Sequence, residues 1–309
     1  MSNEGFLMKN KRKLIFSIVT LCAVMVAFCI LFDFRTLTFK DVNLENIMSS
    51  EWAISSDDMS VHFINVGAAD SAYVTCHGHN ILIDSGDVSL SDQVLEYLQR
   101  KNVKSLDLII VSHPHLDHIG GMPAVIRNVN VGRFIMPILP DDILPLTKTY
   151  TQMLDCLCEK GISVETQVPG TSFSIGDVRC EIFAPLSNYE DVNDYSIVAR
   201  LSYGSVRFLF TGDAQEKSEN DILKQNYNIS ADVLKVGHHG SKTSTTDAFL
   251  SAVSPKYAVI SSAPSKHGHP HKVIVNKLNK RNINVLRTDT NGTIVISTDG
   301  NKIQVNTET

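Results

Sequence analysis

Apolar and polar positions along this chain switch repeatedly between a period of two and a period near 3.6. Val61–Val66, Ala72–Thr75 and Asn80–Asp84 read as short strands, and Ser89–Arg100 then places Leu90, Val94, Leu95 and Leu98 on one helical stripe. The apolar run Leu106–Ser112 reads as a buried strand, a helix starts at Gly120, Arg133–Ile138 reads as a strand, and Thr147–Lys160 as a helix bounded by Gly161. Strand patterns return at Val178–Phe183, Ser196–Tyr203 and Val206–Phe210, the last two joined as a hairpin at Gly204-Ser205. The remainder alternates: a helix from Ala214, a strand Asp232–Val236, a helix Thr245–Val253, a strand Tyr257–Ser261, a helix His271–Arg281 and a closing β-meander from Ile283. Two successive blocks of β then α pattern agree with an α/β sandwich of two sheets flanked by helices.

Ahead of these blocks the pattern differs. Leu14–Phe32 is an uncharged apolar run of 19 residues, long enough to cross a bilayer as a helix, and Lys9, Lys11, Arg12 and Lys13 precede it. The positive-inside rule keeps the N-terminus in the cytoplasm and sends the rest across. A cleaved signal would end in small residues, whereas this run ends Phe28-Cys29-Ile30-Leu31-Phe32-Asp33, so the segment reads as one uncleaved transmembrane anchor. The chain therefore divides into a basic cytoplasmic segment 1–13, an anchor 14–32, a polar linker 33–59 and a catalytic region 60–309.

Composition adds little by itself: 43% hydrophobic residues and a net charge of −5 are ordinary for a globular protein and give no hint of a polyanionic partner. The distribution is uneven, however. From Ala199 onward there are 14 Lys and Arg against 9 Asp and Glu, and Lys235, Lys242, Lys256, Lys266 and Lys272 fall in or near the late histidine-bearing loops. Clustered at a catalytic mouth they would favour an anionic substrate. The six cysteines lack zinc-finger spacing, and Cys156 and Cys158 would point to different faces of one helix.

The densest chemistry lies in His113-Pro114-His115-Leu116-Asp117-His118, followed by Ile119-Gly120-Gly121, directly after the buried strand. His113 and His115 are two apart, so an extended backbone turns both to one side, while Asp117 and His118 lie where the chain turns and can face a second ion. This segment resembles the signature of the metallo-β-lactamase fold, a hydrolase superfamily with a dinuclear site. Val61–Gly67 with Ala69-Asp70-Ser71, Ile81–Gly86, Phe208–Asp213 and Leu234–Ser241 resemble its further motifs in the right order. The Thr211-Gly212-Asp213 and Gly237-His238-His239-Gly240-Ser241 forms, with Gly268-His269-Pro270-His271, are similar to the ComEC-like branch, whose domain belongs to a DNA-uptake channel, and to relatives that cleave phosphodiesters of wall polymers.

The resemblance implies a four-layer αβ/βα sandwich. It also implies that His113 and His115 bind one metal, that Asp117, His118 and His238 bind another, and that Asp213 bridges them. His239 is the alternative to His238. Asp117, with Asp84 orienting a ligand histidine and His269 contacting a phosphate oxygen or protonating a leaving group, completes the catalytic set. Imidazole and carboxylate ligands suit two zinc ions, with manganese an option where oxygens dominate. A pair roughly 3.5–4 Å apart lowers the pKa of bound water to about 7 and so supplies a hydroxide nucleophile. The superfamily's usual third first-site histidine is missing, because no His occurs between His118 and His238; Asn193-Asp194 lies where it is expected. The expected activity is hydrolysis of an anionic phosphodiester, in nucleic acid or wall polymer, outside the cytoplasm. The alternatives are amide, lactone or thioester hydrolysis of the β-lactamase type, against which Asp213 stands where that branch carries cysteine, and a non-catalytic DNA-uptake or binding module.

Overall fold

The computed structural model describes residues 58–264 and 268–309, so the anchor at Leu14–Phe32 and linker residues 33–57, like Lys266 and His267, lie outside the described residues, while Met59, read as the last linker residue, is buried in the first strand. Among the described residues no helix is long and apolar enough to cross a membrane.

The first block opens with β1 (Met59–Phe63), β2 (Ala72–Cys76) and β3 (His79–Ile83), followed by α1 (Ser91–Arg100) and β4 (Ser105–Ile110). Next come α2 (Leu116–Ile119), α3 (Met122–Asn128), β5 (Asn130–Ile135), α4 (Lys148–Glu159) and β6 (Val164–Glu165). The second block runs β7 (Ser172–Ile175), β8 (Val178–Ala184), β9 (Val198–Tyr203), β10 (Val206–Phe210), α5 (Glu216–Lys224), β11 (Val233–Lys235), α6 (Asp247–Val253), β12 (Tyr257–Ile260), α7 (Lys272–Lys280) and β13 (Asn284–Arg287). A short α8 (Thr288–Asn291), β14 (Ile294–Thr298) and β15 (Ile303–Thr307) close the chain.

Eight strands form one sheet in the order β15-β14-β1-β2-β3-β4-β5-β6, and seven form the other in the order β13-β12-β11-β10-β9-β8-β7. Each sheet is antiparallel in one half and parallel in the other, the parallel pairs being β3 to β6 and β10 to β13. Parallel strands need covered faces, which is why inner ones such as β4 and β12 carry the apolar runs Leu108-Ile109-Ile110 and Ala258-Val259-Ile260. β4 shows the division: Leu108 and Ile110 face the other sheet, while Leu106 and Ile109 pack under the helices. One cluster, including Phe63, Ile182, Phe208 and Val259, fills the space between the sheets. A second lies under α1, α3 and α4, and a third under α5, α6 and α7, giving the four layers αβ/βα.

The closing β-meander read from sequence is corrected. β13 adds in parallel to β12 in the second sheet, and only β14 and β15 form an antiparallel pair, on the first sheet beside β1. Alternation of apolar residues reports a half-buried strand but not which sheet receives it. The edge strands β6 and β7 were not read at all, since they are short, and Ser172, Ser174 and Val164 face solvent. The Gly204-Ser205 hairpin between β9 and β10 is present, with Gly204 at φ 57°, where a turn favours glycine.

Candidate metal centre

Every cluster residue is delivered by the segment that follows a strand. Asp70 follows β1, Asp84 follows β3, Ser112 to His118 follow β4, Asp213 follows β10, His238 and His239 follow β11, and Ser261 follows β12. Because these parallel strands point the same way in their sheets, their following loops gather along one edge of the sandwich.

Backbone contact explains the Gly-Gly pair after the histidine segment. A Cβ on Gly120 would lie 2.2 Å from the backbone of Asp87 and Val88, and the Gly120 N–H donates to the Gly86 carbonyl at 2.7 Å. Glycine there lets the turn after β3 pack onto α2, so Asp84 reaches the histidines. Asp84 is buried and itself adopts φ 57°. It accepts from the Ser112 N–H at 2.7 Å and the Ser112 hydroxyl at 2.6 Å, and it lies 2.9 Å from His118 Nδ1. That contact places the His118 proton on Nδ1 and turns Nε2 toward Asp213 Oδ1, 3.3 Å away.

The other loops complete the cluster. His238 and His239 both have left-handed backbones, φ 50° and 52°, so the chain doubles back between β11 and Ser241. Gly240 follows at φ 80°, and a Cβ there would meet Pro270 at 2.7 Å. His239 is buried, with Nδ1 3.1 Å from the Ser261 carbonyl oxygen and Nε2 3.4 Å from Asp117 Oδ2 and 3.6 Å from Asp213 Oδ2. His238 is more exposed, with Nε2 also 3.6 Å from Asp213 Oδ2 and its ring 5.5 Å from that of His269. His113 is fully buried, its Nε2 3.0 Å from His115 Nδ1 and its Nδ1 3.3 Å from the Ser196 hydroxyl.

Charge is concentrated here. Burial opposes a proton on His118, but Asp213, Asp84 and Asp117 outweigh it and hold the imidazole well above its ordinary range. Burial likewise opposes ionisation of Asp213, yet His118 and His239 hold it well below the usual carboxylate range. His113 is pushed well down, by burial first and by His118 second. Asp70, His118, Asp213 and His239 each bring a donor atom within 4.8 Å of the others. Oδ1 of Asp70 and of Asp213 and Nε2 of His118 and of His239 are buried without a well-formed hydrogen bond. The buried atoms of Asp213, His118 and His239 turn to one point, where leaving them without partners is costly, and a divalent cation that displaces the imidazole protons would satisfy these three. The donor set, imidazole nitrogen and carboxylate oxygen, fits zinc or manganese.

Comparison with known proteins agrees with this geometry. Residues 64–263 match the family described as the metallo-beta-lactamase superfamily. The chain belongs to that superfamily. Within the superfamily it is similar to ComE operon protein 3 of Bacillus subtilis (strain 168), 32% identical over 259 residues, which cover 77% of this chain and 33% of that protein. Competence protein ComA of Neisseria gonorrhoeae is 29% identical over 249 residues, covering 78% of this chain and 33% of that one. These relatives are those of the ComEC-like branch, and the chain spans about a third of their length. A solved member of the fold, the metallo-beta-lactamase fold protein YhfI from Bacillus subtilis, aligns with a TM-score of 0.53 at 13% identity over 81% of this chain and 100% of its own. That likeness shows the superfamily fold.

Placed on this superfamily fold, His113, His115, Asp117, His118, Asp213, His238 and His239 converge, with Asp84 behind His118 and His269 at the rim. A pocket of about 130 Å³ is lined by Ala68, Asp117, His238, His239, Ser262, Ala263 and His269. Asp194 is engaged elsewhere: its Oδ1 accepts from the N–H groups of Gln215 and Ser218 at the start of α5, whereas Asn193 Oδ1 is buried without a hydrogen-bond partner. Among the described residues, two of these lysines are held away from any basic mouth. Lys235 is buried and paired with Asp70 at 2.8 Å, and Lys256 precedes β12, at the strand end away from the ligands, where it pairs with Asp232 at 2.9 Å. Lys242 and Lys272 are exposed. Lys235, expected at a basic mouth, is instead half of a buried pair with Asp70, and an ionisable pair with one member in a turn and one ending a strand has no local spacing signal.

Proposed function

We propose that this chain is a metal-dependent phosphodiesterase or nuclease whose catalytic region lies outside the cytoplasm behind an N-terminal anchor. The observation that carries the hydrolase reading is the group of buried, unpartnered donor atoms on Asp213, His118 and His239 beside a solvent-reaching pocket. Divalent ions bound there supply Lewis acidity and bring a coordinated water to a pKa of about 7. His113 and His115 would hold one ion, Asp117, His118 and a histidine of the His238-His239 pair the other, with Asp213 between them. Asp84 fixes the His118 tautomer through the 2.9 Å contact. His269, whose ring centroid is 5.5 Å from His238 and 6.4 Å from His239, is set to donate a proton or hydrogen bond to an oxygen of a substrate in the pocket. A relative named as a competence protein favours nucleic acid over wall polymer as the substrate.

The test uses the full chain with bis(p-nitrophenyl) phosphate, single-stranded DNA, a teichoic acid and nitrocefin. Cleavage of the phosphodiesters should exceed that of nitrocefin and stop on chelation. Asp213→Ala should abolish activity and metal content together. His269→Ala should cut turnover by roughly 100-fold while leaving metal content unchanged. A preference for nitrocefin, or full activity in Asp213→Ala, would overturn the proposal.

A further inference from the structure

The buried pair Asp70–Lys235 takes no part in the chemistry above. Asp70 sits in the turn between β1 and β2, in the first sheet, and Lys235 ends β11, an interior strand of the second. Their side chains are 6% and 5% exposed. Lys235 Nζ donates to Asp70 Oδ2 at 2.8 Å and to the Val236 carbonyl at 2.9 Å. Removing two charges from water costs several kcal/mol per ion, so a pair like this is weak evidence for stability and calls for another role.

The other oxygen of Asp70 indicates one. Oδ1 is buried, has no hydrogen bond, and lies 3.7 Å from His239 Nδ1. That nitrogen is also 3.1 Å from the Ser261 carbonyl, which can only accept. The ring proton therefore belongs on Nδ1, between two acceptors, and Nε2 presents its lone pair toward Asp117 and Asp213. We propose that Asp70 and Lys235 are positioning residues of the metal centre. Asp70 holds His239 in the tautomer and rotation that face the ion, and Lys235 fixes Asp70 so that it serves the ring and does not turn inward as a ligand.

This inference rests on the reading that the cluster binds a divalent ion, and Co²⁺ titration of the chelator-stripped full chain separates the two. Asp70→Asn keeps the shape and removes the charge; Lys235→Met removes the anchor of Asp70. Each should weaken Co²⁺ binding by about 10- to 100-fold, the usual effect of losing a group that orients a ligand histidine. Arg200→Met, which breaks a partly buried pair with Glu181 in the same sheet as Lys235, should lower the melting temperature and leave Co²⁺ affinity unchanged. Unchanged Co²⁺ affinity in folded Asp70→Asn would overturn the proposal, even where Tm falls, because the pair would then be structural only. Weaker binding in Asp70→Asn with tighter binding in Lys235→Met would also overturn it, by making Asp70 a direct ligand. Should Lys235→Met not fold, Asp70→Asn decides alone. Absence of Co²⁺ binding by the wild-type chain would remove the metal reading itself.

Discussion

Glu219 gives the most direct test of how the scaffold holds the histidine loop. It lies in α5, is 1% exposed, and accepts the backbone N–H groups of both Thr245 and Thr246, the latter at 2.8 Å. Thr245 has a left-handed backbone, and its carbonyl accepts from Lys277 of α7 at 2.9 Å, so the segment after His238-His239 is pinned from two helices. Burial raises the Glu219 pKa, and hydrogen bonds from Thr246 and Thr245 oppose that rise, which means that ionising the carboxylate already costs free energy. Glu219→Ala would leave two N–H groups without acceptors, at about 1–3 kcal/mol each, and would relieve part of this by removing the buried charge. A net loss of about 3 kcal/mol follows, which for a domain of this size lowers Tm by about 6–12 °C. Differential scanning fluorimetry of the metal-free protein measures it, and zinc competition with a chelator should show weaker binding as His239 loses its support. Glu219→Gln keeps one acceptor and should lose roughly half as much. A Tm within about 2 °C of wild type for Glu219→Ala would refute the reasoning, since that corresponds to less than about 1 kcal/mol.

Two further outcomes are expected. His62 is buried with Nδ1 2.8 Å from the Tyr97 hydroxyl, and burial, then the Lys101 charge, lowers its pKa from 6.5 to about 4. The unfolded chain therefore takes up a proton that the folded one refuses as pH falls through 6.5, so stability is lost between about pH 6.5 and 4. By pH 5 the loss is about 2 kcal/mol. Urea melts at pH 7.5 and 5 should show a fall that is smaller by that amount in His62→Gln, and an identical fall in both proteins would contradict it. For the anchor, a reporter fused after Thr309 should be active outside the cytoplasm, and cytoplasmic activity would remove both the anchor and the extracytoplasmic assignment.

The metal segment was legible because its residues are contiguous and follow a strongly apolar strand. Leu108 and Ile110 are buried between the sheets, and the very next turn carries His113. Asp213, two residues beyond the strand end Phe208-Leu209-Phe210, was picked out by the resemblance of Thr211-Gly212-Asp213 to a family motif. Groups defined by pairing across the fold were not. Lys235 reads as one of several late lysines, yet β11 lies between β10 and β12, and that position, not the residue type, buries it. Asp194 sat where a ligand was sought and is used to hold the start of α5. The choice between His238 and His239 turns on two consecutive left-handed residues, which apolar periodicity does not encode.

The pairing of β1 with β14, through partners such as Val61 and Ile296, has a consequence for how the domain comes into being. A chain emerging from a ribosome, or threading through a translocation pore, exposes β1 long before its neighbour β14 exists. Until residues 294–298 arrive, one flank of β1 presents unpaired backbone groups, and its inward face lacks Ile294 and Ile296. Closure of the first sheet is therefore a late event involving contacts of very long sequence separation, the kind that slows folding. Asp70, carried on the turn after β1, stays on this unfinished sheet while the second sheet's segments are still appearing. A cluster that needs Asp70 and His239 together is therefore complete only once both sheets have formed.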